Sequence, residues 1–404
     1  NHMKLYSQYQ SNNQELLFVV WRVVANVGIM KPITYFITLV FTLILLIFIP
    51  EPVFAQSGWT EHISFGGDFR QRHEGFFQAD TRARQRLRFR FRLSANAEIN
   101  DDVSLGVRLG SGDLGNPIST NQSFTDSLSR KPIGRDRAFF TWNPSGAKAL
   151  TIGAGKFGLP VTRTQMTFDS DLNWEGLYQQ IRTSSGPVSL RLVTAQVPLK
   201  ESKKSPDAFL FAGYGEVGVK VGAHNLQFSI ANYAFRDVDG VALTQISKDI
   251  GRNTNALSRN SAGATTGFNS DFNLMDIIAR GTFDLGRENY PLQLTANFVK
   301  NTKAATNEDF GYWLTAAYGS ASKPGTFQLS YTYAHIEREA VLSVFTFSDT
   351  PGTNIQMHQP VISYMIAPRV HLDFTGIFTK KLAVSASASN KLLKRTQLDA
   401  RVSF

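Results

Sequence analysis

Cysteine is absent from the 404-residue chain, which rules out disulfides, thiolate nucleophiles and thiolate metal sites. The absence suits passage through an oxidising compartment, although a cytoplasmic protein can lack cysteine as well. Charged residues amount to only 18%, yet mean hydropathy is −0.16, too polar for a bundle of membrane helices. A near-neutral mean does not exclude the membrane, because a barrel strand alternates lipid-facing and interior residues and averages to neutral. The histidines His62, His73, His224, His335, His358 and His371 show no metal-ligand spacing such as H-E-x-x-H. No G-x-S-x-G elbow and no glycine-rich phosphate loop with its lysine occurs either. No catalytic residue, metal or cofactor is therefore expected, and the chain is not read as an enzyme. The one enzymatic reading left, a hydrolase with a Ser–His pair drawn from separate strands, leaves no local signature. His371 and Asp373 share a strand face, but a wet interior wall needs polar residues anyway.

What is plentiful is glycine, phenylalanine and tyrosine, at 31, 31 and 12 residues, which suits many short strands with one greasy face and frequent turns. The net charge of +10 lies almost wholly beyond residue 55. Its arginines alternate with Phe and Leu along strands and do not gather in a loop or helix patch, which argues against a nucleic-acid partner.

Near the amino terminus, Met30-Lys31 precedes an uncharged run from Ile33 to Ile49, then Pro50, then Val53-Phe54-Ala55 before Gln56. A positive start, an apolar helix and a V-x-A site are the layout of a secretory signal, with cleavage expected between Ala55 and Gln56. A retained membrane anchor is the alternative, since the run is near the short end for a span, but no basic stop-transfer cluster follows. Residues 1–29 then read as an upstream extension or a mis-called start, 30–55 as the signal peptide, and 56–404 as the mature domain.

Beyond Ala55 the period is two. Leu87, Phe89, Phe91, Leu93 and Ala95 fall on one face and Arg86, Arg88, Arg90, Arg92, Ser94 and Asn96 on the other. Similar runs recur at Val103–Leu109, Val188–Leu192, Phe209–Val219, Leu292–Phe298, Phe327–Tyr333 and Val370–Phe378. Turn-forming clusters near 100–102, 143–146, 185–187, 222–225, 286–291, 323–325 and 367–369 alternate with long polar connections near 113–134, 157–173, 197–207, 237–270, 300–309, 337–357 and 380–393, and a shorter one near 73–81. That alternation predicts an all-β transmembrane antiparallel up-and-down β-barrel of about 16 strands, with short periplasmic turns and long extracellular loops. A soluble sandwich or propeller would suit any single strand equally well; the number of strands and the unequal loops decide. Trp142, Tyr233, Tyr333 and Tyr364 are candidate membrane-interface aromatics, and the strand register within 134–181 is left open, because Phe139/Phe140 and Leu177/Tyr178 break the alternation.

The chain closes on Leu398, Ala400, Val402 and Phe404 along one face. A terminal Phe on an alternating strand looks like the signal read by the outer-membrane barrel-assembly machinery. The run RARQRLRFRFRLSANAEIN (Arg82 to Asn100), leading into VSLGVRLGSG, and the run FDSDLNWEGLYQQI (Phe168 to Ile181) resemble the bacterial putative-porin family, itself similar in layout to the phosphate-selective porins. The likeness covers 57–404 in layout and the first half in motifs. It implies a water-filled barrel for passive diffusion in the bacterial outer membrane, often a homotrimer, with an inward-folded third loop that narrows the pore.

Arg82, Arg84, Arg86, Arg88, Arg90 and Arg92 occupy every second position, hence one face of one strand. Arginine at the bilayer midplane costs about 2–4 kcal/mol in a barrel, so this ladder must face the interior, where it would concentrate anions. Arg108 is expected on the same wall, with Arg135, Arg137 and Arg191 as further candidates. Alternatively the ladder is structural, neutralised by Asp68, Glu98, Asp169, Asp171 or Glu175, and a mixed role is the reading adopted. The 157–173 loop, with Arg163, Asp169, Asp171 and the neighbouring Glu175, is the candidate constriction; a simple surface loop is its alternative. The function expected is a passive channel for small hydrophilic solutes and ions that prefers anions. Its rivals are a channel specific for phosphate, carboxylates or sugars, and a plugged structural or adhesive barrel that conducts nothing.

Overall fold

The computed structural model describes residues 62–404 apart from 126, 204–205, 243–253 and 385–389. The signal peptide, its Ala55–Gln56 junction, the 1–29 extension and part of the 237–270 loop lie outside the described residues. The strands are β1 (Ile63–Phe77), β2 (Arg84–Glu98), β3 (Val103–Ser111), β4 (Gln122–Ser123), β5 (Ile133–Trp142), β6 (Leu150–Gly158), β7 (Asn173–Ser185), β8 (Val188–Lys200), β9 (Ala208–Val221) and β10 (His224–Arg236). They continue as β11 (Leu257–Arg259), β12 (Thr265–Phe268), β13 (Asn273–Phe283), β14 (Leu292–Asn301), β15 (Phe310–Gly319), β16 (Phe327–Ile336), β17 (Ile355–Ala367), β18 (Val370–Lys381) and β19 (Leu393–Ser403). Short β4, β11 and β12 belong to loops. The other 16 form a closed antiparallel barrel, each paired with its neighbours in sequence. Closure comes from β1, which pairs with β2 on one side and with β19 on the other.

Alternation explains the two surfaces. Leu87, Phe140, Leu192, Phe228, Leu314 and Phe374 point outward and stay exposed, the apolar band that hydrocarbon requires. Their neighbours in sequence point in. The two places where alternation fails resolve through glycine. Phe139 turns inward over Gly106, where a Cβ would come within 2.5 Å of its ring, and Tyr178 turns inward over Gly153, where the gap would be 2.1 Å. Phe140 and Leu177 then take the outward positions. A ring laid over a glycine on the next strand keeps the register while filling the interior.

The inner face has two characters. Along β7 to β10 and β13 to β15 it is apolar, with Val193, Leu210, Tyr233, Leu274 and Trp313 buried. Loops 159–172 and 337–354 fold inward onto this side. Phe168 meets Trp174 at 5.5 Å and Tyr233 at 5.0 Å edge-on, Phe345 stacks on Phe235 at 6.5 Å, and Phe347 meets Trp313 at 6.1 Å. A fully buried ring such as Phe168 contributes about 1.5–3 kcal/mol. Tyr233 is therefore not a membrane-interface residue: it is fully buried inside. Trp142 and Tyr364 do face outward.

Candidate functional site

Opposite the apolar side, the inner face of β19, β1, β2, β3 and β5 is charged. Arg86, Arg88, Arg90 and Arg92 project inward from β2, as their period of two requires, and Arg88 and Arg90 are buried. Arg90 binds Asp68 at 2.7 Å, Arg92 binds it at 2.6 Å, and Arg92 also reaches Asp171 at 3.2 Å. Arg86 pairs with fully buried Glu74. Arg88 lies 3.8 Å from the same carboxylate and donates to the Asn121 carbonyl at 3.3 Å, while its Nε meets no acceptor. Arg108 donates to Asp136 at 2.5 Å and Arg137 to the Asn173 amide oxygen at 2.7 Å.

Two of the predicted ladder positions sit differently. Arg82 is in the exposed connection before β2, which starts at Arg84, because pairing with β1 ends at Phe76. Arg84 is exposed at that rim, its guanidinium 5.8 Å from the Phe76 ring. Glu175 is a correction of another kind. It lies on β7, exposed, and pairs with Lys156 at 2.6 Å on the outer surface. The following strand has already begun at Asn173, so Trp174 takes the inward position and Glu175 the outward one. Glu98 is exposed at the end of β2, and Arg191 pairs with Glu216 at 2.8 Å on the apolar side.

Several members of the cluster were not singled out from sequence. On β1, Arg70 and Arg72 alternate with Asp68 and Glu74, and on β19 Arg395 alternates with Gln397 and Asp399. Arg72 grips Asp399 with two hydrogen bonds of 2.7 Å, and Arg395 binds Glu74. Asp349, from the inward loop 337–354, lies between them, 3.0 Å from Arg72 and 2.6 Å from Arg395. Strand period two was the available signal for Arg70, Arg72 and Arg395. A loop has no period, so Asp349 had none. Arg70, Arg72, Arg86, Arg88, Arg90, Arg92 and Arg395 face Asp68, Glu74, Asp171, Asp349 and Asp399, which leaves positive charge in excess.

The 159–172 loop is held from several directions. Thr167 donates to Asp276 at 2.7 Å, Arg280 to the Arg163 carbonyl at 2.7 Å, and Thr164 to Asn297. Arg163 closes the loop on itself through the Asp169 and Ser170 carbonyls, each at 3.1 Å. Asp169 joins the two inward loops. Its amide donates to the Phe345 carbonyl at 2.8 Å and its carboxylate accepts the Ser348 amide at 2.5 Å. Burial, with Asp171 close by, pushes the Asp169 carboxyl up to about 7. Burial would also raise Asp171, but Arg90 and Arg92 outweigh it and hold that carboxyl low. Asp349 is likewise held well below the usual range by Arg395 and Arg72, against the effect of burial. The loop is thus tied to the apolar side through Thr164 and Thr167 and to the ladder through Asp171.

Phe404 exchanges backbone hydrogen bonds with Gly67 at 2.9 and 3.1 Å. Its ring covers Gly67, where a Cβ would come within 2.6 Å of it. Among the described residues no cluster of His, Asp and Glu could hold a metal.

Solved structures share this fold. OprB of Pseudomonas putida superposes with a TM-score of 0.57 at 13% identity, over 85% of this chain and 95% of that one. OmpF of Salmonella typhi, in a complex with daunomycin, superposes with a TM-score of 0.50 at 9% identity, over 85% of this chain and 97% of that one. No curated protein matches the chain in sequence. A family model described as "Putative porin" matches residues 77–282, from the end of β1 to the end of β13 and so across the whole arginine ladder and the inward 159–172 loop. The chain belongs to that porin family, and it is a β-barrel channel protein of the bacterial outer membrane.

Proposed function

We propose that the channel is a passive porin for small hydrophilic solutes that prefers anions, and that the β2 arginines with Arg108 set the preference. The observation that carries this reading is the excess of guanidinium over carboxylate on one inner wall, with Arg70 and Arg88 each keeping a buried Nε–H that meets no acceptor. Cations confined in a narrow wet passage raise the local anion concentration and repel cations. Loop 159–172, with Arg163, Asp169 and Asp171, serves as the constriction in this account, and its ties to both sides of the interior hold the gap at a fixed width. Phe404 serves as the assembly signal, and the protein works as a homo-oligomer.

The plugged barrel is a second reading, favoured by one feature: Asp171 and Asp349 carry both inward loops across to the charged wall. Conductance separates the two. The protein purified from outer membranes is placed in a planar bilayer across a KCl gradient and its reversal potential is read. A stable open channel with a chloride-selective potential supports the porin. A cation-selective potential removes the anion preference, and absence of conductance favours the plug.

A further inference from the structure

The outward face of the barrel is not evenly covered. Between β10 and β16, neighbouring strands bring small outward residues together. Ala279 pairs with Ala296, Gly281 with Leu226 on one side and Leu294 on the other, and Ala316 with Leu294 and Tyr331. The result is a groove of about 500 Å³ in the lipid-facing surface, within the roughly 300–1,000 Å³ usual for small-molecule sites. Ala279, Ala296 and Ala316 form its floor, flanked by Leu226, Leu294 and Leu314. These flanks are open to the outside: Leu226 and Leu294 are each 42% exposed and Leu314 38%.

Its two ends differ. Toward the short turns the groove is closed by apolar groups, Leu226 and the Phe283 ring, which lies over Gly281. Toward the long loops it meets Tyr331 and Tyr333. There the Tyr331 hydroxyl lies 2.5 Å from His358 Nδ1, the Tyr333 ring is 5.0 Å from the same imidazole, and the Gln356 amide lies 3.3 Å from His358 Nε2. All four side chains point outward, where polar groups are costly unless they are bonded. A hydroxyl offers one donor and two acceptor sites, so the bond to His358 leaves Tyr331 further capacity, and Tyr331 is 48% exposed. An apolar trough that ends in an accessible hydroxyl calls for a molecule with a hydrocarbon body and a polar group at its long-loop end.

We infer that this groove retains one acyl chain of an outer-leaflet lipid, with the chain along Ala279, Ala296 and Ala316 and the lipid's polar linkage at Tyr331 and His358. Hydrocarbon surrounds the barrel everywhere, so transfer from water is not what holds the chain. Close packing in a hollow that otherwise lacks contacts holds it, together with a hydrogen bond at one end. One apolar end and one polar end, ordered as a lipid of that leaflet is ordered, single out a lipid over a second copy of the chain. The site lies outside the pore and does not rest on the channel's ion preference.

The test is native mass spectrometry of the full-length protein extracted from outer membranes in mild detergent, with collision energy raised until loosely held membrane lipid is gone. One lipid per chain is expected to persist. Ala296→Phe fills the groove on a face that already carries rings, and should lower the occupancy about tenfold. Tyr331→Phe removes the hydroxyl and should lower it severalfold. Ala400→Phe, exposed and outward on β19, is the control and should leave it unchanged, with circular dichroism confirming that each variant is folded. A wild type that retains no lipid, equal retention by Ala296→Phe, or equal loss from Ala400→Phe overturns the site. A wild type free of lipid whose oligomer comes apart in Ala296→Phe would place a second copy there instead.

Discussion

Replacing Arg88 by Gln removes one positive charge from the ladder while keeping a donor in place. Arg88 is the position to choose, because its nearest carboxylate is 3.8 Å away and its Nε is unpaired, so its loss strands no tight partner. A unit charge roughly 7 Å from a permeating ion in water is worth about 0.6 kcal/mol. Salt at 0.1 M, with a screening length of about 10 Å, halves this to about 0.3 kcal/mol. Anions and cations feel it with opposite sign, so the chloride-to-potassium permeability ratio falls about threefold on these figures. Asp171→Asn is the mirror experiment. The amide oxygen can still accept from Thr120, whose N–H and O–H now reach Asp171 at 3.0 and 2.8 Å, and the wall gains one net positive charge. The ratio should then rise by a similar factor. Reversal potentials across a KCl gradient read both, with circular dichroism confirming that each variant is folded. Two unchanged ratios, or two shifts of the same sign, would refute the electrostatic reasoning.

Three further outcomes follow from the same geometry. Glu74→Gln takes the carboxylate from Arg86 and one of two from Arg395, which keeps Asp349, and stability in urea should drop by about 3 kcal/mol, the lower end of what breaking a buried pair costs. Asp169, up at about 7 when folded against an ordinary 3.8, keeps a proton that the unfolded chain has released between those values. The stability it supports is greatest at and below about pH 4 and is lost as pH rises through about 7. Wild type should thus unfold more easily at pH 8 than at pH 5 by a margin that Asp169→Asn reduces, and an equal margin in both would contradict the assignment. Gly153→Val drives a side chain into the Tyr178 ring and should cost about 1–3 kcal/mol, but much less when introduced into Tyr178→Ala, where the ring is gone; an equal cost in both backgrounds would point to backbone strain.

Much of the barrel was legible because its two rules are local. A side-chain period of two sets which residues face in, and turn chemistry sets where strands reverse, so 16 strands with unequal loops could be read from 57–404. The same period places Arg86, Arg88, Arg90 and Arg92 inside. It failed where a chain leaves the sheet. Arg82 continues the pattern beyond the last pair with β1, and Glu175 follows a strand start that no local residue marks. Tyr233 reads as an interface aromatic by composition, yet lies beneath the 159–172 loop. The inward 337–354 loop was the largest omission, since the burial of Val341, Leu342 and Phe347, the last against Trp313, is a property of tertiary contact alone. Asp349 is carried into the cluster by that loop, and no reading of strand patterns could reach it.

The central claim is that the β2 ladder sets the ion preference, and the most direct measurement is single-channel recording of Arg86→Ser/Arg88→Ser/Arg90→Ser beside the wild type under one KCl gradient. The account predicts an open channel in both, with the chloride preference of the wild type lost in the triple variant. An open triple variant whose chloride preference equals that of the wild type would contradict it and leave the ladder as a structural brace.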